Sequence, residues 1–175
     1  MIRRAIVTST AVLFMALALP LTANAQSVYV LAGASLPTGD YGDFADTGWL
    51  GAVGVTFPVA EAGLWAGAEA LYGQNGASAF DGESFKVFSA MGLLGYSIPT
   101  ESNIAPYVWG GAGIMSLSNG DSESGFGWQL GAGASLQGEG NVSPFAEARY
   151  QSASLDGGTL SFIGLEIGVS VGLGD

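Results

Sequence analysis

Residues 159–173 read TLSFIGLEIGVSVGL. Ile163, Leu165, Ile167, Val169, Val171 and Leu173 occupy every second position, with Gly164, Glu166, Gly168, Ser170 and Gly172 between them. A period of two over this length describes a strand with one greasy face and one small or polar face. The greasy face has about the 9–11 residues that a tilted strand needs to cross a bilayer. The opposite face, glycines and a carboxylate, is no hydrophobic core. A sheet with hydrocarbon on one side and a narrow polar space on the other meets both demands, and such a sheet is a membrane β-barrel.

The first 25 residues read as an export address rather than part of the fold. Arg3 and Arg4 make a basic start, Ala11 to Leu19 is an apolar run, and Ala23-Asn24-Ala25 is a small-x-small cleavage pattern. A membrane anchor helix is the other reading, but the run is short and no basic stop-transfer flank follows. The expected organisation is a cleaved signal peptide at 1–25 and one barrel domain at 26–175. The chain has no cysteine, so neither a lipoprotein signal nor a disulfide framework is available.

All 15 acidic residues lie beyond Ala25, where only Lys86 and Arg149 remain as bases. Such a charge excludes nucleic-acid binding through phosphate neutralisation. It also offers no basic patch for anionic head groups. With 49% hydrophobic residues the acidic chain does not read as disordered. High hydropathy without a long apolar helix in the mature part again fits a barrel, because alternation dilutes the signal of each strand. The 29 glycines, all beyond residue 25, would cripple a helical bundle. Facing inward in a small barrel, they let other side chains fill the lumen.

Eight alternating segments are expected, at 28–36, 49–57, 64–72, 85–96, 106–115, 126–136, 144–152 and 159–173. Connections at 37–48, 73–84, 116–125 and 153–158 read as mostly long Gly/Asp/Ser-rich loops. Those at 58–63, 97–105 and 137–143 read as shorter turns. Up-and-down membrane barrels show this alternation, with both termini on the short-turn side. An echo between AGASLP at 32–37 and GAGASLQ at 131–137 hints at repeated hairpins. Aromatic residues gather near strand ends, among them Trp49, Trp65, Tyr72, Phe85, Tyr96, Trp128, Phe145 and Tyr150, where rings suit the bilayer interfaces. Tyr107 and Trp109 share a face with Gly111 and Gly113 and are expected to point inward.

The signal peptide, the runs PYVWGGAG (106–113), FGWQLGAGASL (126–136) and FAEARY (145–150), and the final strand together resemble the outer-membrane β-barrel family with the OmpA/OmpX-type eight-stranded domain. The resemblance spans the mature chain. It implies an all-β, eight-stranded, antiparallel, up-and-down transmembrane barrel in the outer membrane of a diderm bacterium. It also implies outer-membrane lipid and the barrel-insertion machinery as partners. Relatives commonly end in an aromatic residue, whereas this sequence ends Leu173-Gly174-Asp175.

Five charged residues fall within the expected strands: Glu69, Lys86, Glu147, Arg149 and Glu166. Alternation puts each opposite the apolar stripe, with Val28, Val30, Val53, Val55, Val87, Met91, Leu93, Ile114 and Leu130 facing lipid alongside the stripe of 163–173. Glu147 and Arg149 point the same way, Glu166 lies on the adjoining strand, and Glu69 and Lys86 flank one loop. Two readings follow. One is a luminal ion-pair network that satisfies buried charges and fills the interior. The other is an acidic ion pathway.

Without histidine or cysteine, the usual nucleophilic triads and zinc ligands are missing, so no enzyme, cofactor or metal centre is expected. Asp40, Asp43 and Asp46 sit three apart in the first outer loop and do not follow the alternating pattern of an EF-hand. With Asp81, Glu83, Asp121, Glu123 and Asp156 they make an anionic rim, whose functional version is weak divalent-cation bridging to surface lipid. The expected role is structural or surface-interacting, with a narrow passive channel as the alternative. A soluble secreted barrel around an apolar ligand is the third reading, and it would turn the greasy face inward.

Overall fold

A computed structural model of the protein describes residues 26–59, 63–77, 83–137, 140–156 and 158–173. The expected signal peptide, and Asp81 of the anionic rim, lie outside the described residues. Eight strands follow in order: β1 (Ser27–Pro37), β2 (Ala45–Pro58), β3 (Leu64–Ala77), β4 (Ser84–Ser97), β5 (Ile104–Asn119), β6 (Asp121–Leu136), β7 (Val142–Leu155) and β8 (Gly158–Gly172). Each pairs antiparallel with its chain neighbours. A ladder from Ser27↔Gly172 to Pro37↔Phe162 joins β1 to β8 and closes the barrel. Closure leaves no unpaired edge, which hydrocarbon would make costly.

The greasy stripe of β8 faces outward, with Ile167 at 72% exposure beside Glu166 at 4%. Val30, Val53, Ile114 and Leu130 join it on the outer surface. The orientation inverts on β4. Val87, Met91 and Leu93, expected to meet lipid, are buried in the lumen, and Phe88, Leu94 and Tyr96 take the outer face. Both faces of β4 are apolar, so its period of two does not select a side. Its register does: Met91 opposes Glu69 and Ser89 opposes Leu71, both inward. Trp65, Phe85 and Phe145 also turn inward, packed against the core beside Tyr107.

Strands run further than their sequence suggests at the end away from the chain termini. The β5–β6 ladder extends to Asn119↔Asp121, turning at Gly120 with φ of 89°. The expected loop at 116–125 is thus strand, because a neighbour supplies hydrogen bonds that local propensity does not. The expected long–short alternation of connections therefore largely reflects strand extension. The AGASLP echo also dissolves, since its two copies lie on β1 and β6, which run in opposite directions.

At that far end a 3₁₀ turn, Gly39–Asp43, carries Tyr41 into the barrel mouth. Its hydroxyl donates to Asn75 Oδ1 at 3.3 Å, and its ring meets Phe44 and Phe85 edge-on. Burial pushes this hydroxyl above the ordinary phenol range. Below Tyr41, Leu50, Leu71, Val87, Met115, Leu160 and Phe162 fill the far half of the lumen.

Candidate functional site

Arg149 occupies the lumen at 2% exposure, and all five of its N–H donors are engaged. Nε donates to Glu166 Oε2 at 2.9 Å. Nη1 donates to Glu69 Oε1 at 2.5 Å and to Gln129 Oε1 at 3.2 Å. Nη2 donates to Glu69 Oε2 and to Glu147 Oε1, each at 3.0 Å. The pair with Glu69 is bidentate, the strongest geometry open to a guanidinium and a carboxylate. It also joins β7 to β3, strands on opposite walls of an eight-strand barrel. The Trp109 ring lies 4.9 Å from the guanidinium carbon, adding a cation–π contact.

Two tyrosines complete the cluster. Tyr29 on β1 donates its hydroxyl to Glu69 Oε2, and Tyr107 on β5 donates to Glu147 Oε2, both at 2.8 Å. One guanidinium thus faces three carboxylates. Four of the five charged residues singled out from sequence meet here. Lys86 does not: it shares the outer face of β4 with Phe88 and is exposed. Its expected diagonal meeting with Glu69 fails for the same reason as the facing of Val87, because the register of β4 turns the even positions outward.

Glycine makes the cluster possible. A Cβ at Gly164 would collide with Glu166 Oε1, and one at Gly33 would lie 2.8 Å from Glu166 Cγ. Elsewhere five inward glycines each take a ring from the direct cross-strand partner, whereas Gly111 meets Leu93 and Gly127 meets Met115. Tyr29 covers Gly54, Trp65 covers Gly95, Trp109 covers Gly131, Tyr107 reaches over Gly133 and Phe145 covers Gly168. An aromatic laid over a glycine restores the packing that the missing side chain forfeits. Such pairs fall on alternate strand pairings: β1–β2, β3–β4, β5–β6 and β7–β8.

Below the cluster, at the end that holds both chain termini, the rings leave an open cavity of about 410 Å³. Tyr29, Trp65, Tyr107, Trp109 and Phe145 wall it, and Glu147 reaches it from the cluster. Among the described residues no group of three or more histidine, cysteine or carboxylate side chains is placed to hold a metal ion.

A protein-family model described as outer membrane protein beta-barrel domain matches residues 9–172. The chain belongs to that family. It is an outer-membrane protein, and its greasy outer face lies in a lipid environment. The chain is similar to the crystal structure of Neisserial surface protein A (NspA) with a TM-score of 0.68 and 18% identity, over 83% of this chain and 96% of that one. The outer membrane protein OprG from Pseudomonas aeruginosa gives a TM-score of 0.56 and 13% identity over 87% and 98%. The outer membrane enzyme PagL gives 0.52 and 17% over 83% and 98%. At these identities the likeness concerns the fold. No curated protein matches the chain.

Sequence reading alone misses Tyr29 and Gln129 as cluster members, and places Tyr107 inward without its partner. A signal for the tyrosines exists. Tyr29-Val30 with Gly33-Ala34 recurs as Tyr107-Val108 with Gly111-Ala112, and Ala68-Glu69-Ala70-Leu71-Tyr72 recurs as Ala146-Glu147-Ala148-Arg149-Tyr150. In both copies the tyrosine precedes its glutamate by 40 residues. The outer surface repeats too: Trp49 meets Tyr72 at 5.7 Å, and Trp128 meets Tyr150 at 5.5 Å, both tilted. β1–β4 and β5–β8 are two renderings of one pattern.

Proposed function

We propose that this family member is a structural or surface-interacting barrel of the outer membrane whose lumen is closed by its own side chains. The observation that carries the reading is the saturated guanidinium of Arg149, tied to Glu69 on the opposite wall and backed by the apolar filling of the far half. Breaking such a buried pair would strand unpaired charge, so the cluster resists opening. The absence of histidine and cysteine from the sequence supports a non-enzymatic role. Residues 1–25 serve export in this reading, and the insertion machinery then folds the barrel into the membrane. The acidic far end meets the surroundings, through divalent cations where neighbouring lipid is anionic.

A narrow passive channel is the second reading, favoured by the excess of luminal carboxylate over base. The outward stripe of β8 leaves no support for a soluble barrel around an apolar ligand. Planar-bilayer recording separates the first two. The closed lumen predicts no discrete steps from the wild-type protein after insertion is verified by a heat-dependent gel shift. Steps whose size changes with Glu166→Gln would establish the channel instead.

A further inference from the structure

We propose that the cavity at the terminal end is a binding site for a small organic cation, an ammonium group carried on an apolar body. Its volume of about 410 Å³ falls within the roughly 300–1,000 Å³ of ligand pockets. Its walls include the aromatic rings of Tyr29, Trp65, Tyr107, Trp109 and Phe145, a side-chain type to which organic cations are drawn. Among the described residues the charged side chain that lines it is Glu147, whose oxygens retain lone pairs after accepting from Arg149 and Tyr107.

The chemistry excludes other occupants. An anion would find no donor in the guanidinium, since every N–H of Arg149 is already committed. It would also approach a cluster in which carboxylates outnumber the base. A neutral apolar molecule would strip water from Glu147 and return no compensating contact. A bare metal ion would meet one carboxylate and scattered hydroxyls (Thr56, Ser97, Ser135, Ser143, Ser170) among the rings, too few anionic oxygens for a hard cation. An ammonium group set against Glu147, with its apolar body among the rings, meets charge with charge and carbon with carbon.

The test uses tryptophan fluorescence of the full barrel in a maltoside micelle, whose head group carries no ammonium. Trp49→Phe and Trp128→Phe remove the two outward tryptophans, so that Trp65 and Trp109 report on the cavity. The probes are benzyltrimethylammonium, benzyl alcohol and benzenesulfonate. Saturable change is expected with the ammonium, at least about tenfold tighter than with the alcohol, and none with the sulfonate. Glu147→Gln should bring the ammonium down to the level of the alcohol. Ser143→Phe, which fills the cavity from its rim without touching the ion cluster, should abolish binding. Equal affinity for all three probes, unchanged binding in Ser143→Phe, or no saturable change overturns the proposal.

Discussion

The first four strands and the last four share a frame and differ in what they put at its centre. Tyr29 over Gly54, with its hydroxyl on Glu69, is matched by Tyr107 over Gly133 with its hydroxyl on Glu147. Two residues beyond each glutamate the halves part: β3 carries Leu71, and β7 carries Arg149. Opposite each glutamate they part again, with Met91 on β4 and Glu166 on β8. The comparison teaches that a repeated scaffold of rings over glycines sets where side chains converge, while two substitutions decide whether the centre is oily or ionic. A single guanidinium supplied by one half is hydrogen-bonded to a glutamate from each.

Arg149→Leu, which makes the halves alike at this position, is the sharpest way to break the comparison. Leaving three buried carboxylates without their base should cost about 3–5 kcal/mol, read as a lower urea midpoint in folded-state gel mobility. Normal stability would mean that the cluster is not what holds the centre. Moving the charge rather than deleting it comes next. Leu71→Arg combined with Arg149→Leu should recover about 0.5–3 kcal/mol of that loss, since Glu69 and Glu147 are equivalent in the two halves. A double variant no better than the single one would show that Glu166 makes the arrangement one-sided.

The glycines offer a matched pair of smaller changes. Gly54→Ala and Gly133→Ala each push a methyl group into a tyrosine, and each should destabilise by about 1–3 kcal/mol. Equivalent halves predict similar losses in the same urea titration. Tyr29→Phe and Tyr107→Phe remove one hydroxyl donor apiece, worth about 0.5–1.5 kcal/mol. Here Tyr29→Phe should be the more costly, because Glu69 is more deeply buried than Glu147. Lys86→Ala, on the exposed outer face, should stay within about 0.5 kcal/mol. A large effect there would restore Lys86 to the network from which the geometry removes it.

Legibility in the sequence varied from strand to strand for identifiable reasons. β8 announced its facing because Ile163 to Leu173 alternates with glycine, serine and one carboxylate. β4 did not, because Val87, Met91 and Leu93 on one side and Phe88, Leu94 and Tyr96 on the other are equally apolar. The cluster was half visible. Glu147, Arg149 and Glu166 lie on adjoining strands, and parity alone groups them. The bond from Arg149 to Glu69 spans β7 and β3, and nothing local to either strand marks it.

Taken alone, the chain's alternation, glycine content and scarcity of charge determined a sheet with an oily side and a glycine-rich, sparsely charged side. Those are local properties, set by the two-residue period of a strand. Closure decided the rest: which side of β4 is inside, which glycine receives which ring, and which acids surround the one buried base. Joining β8 to β1 brings strands four apart to face one another, and that proximity is a property of the ring and not of any segment in it.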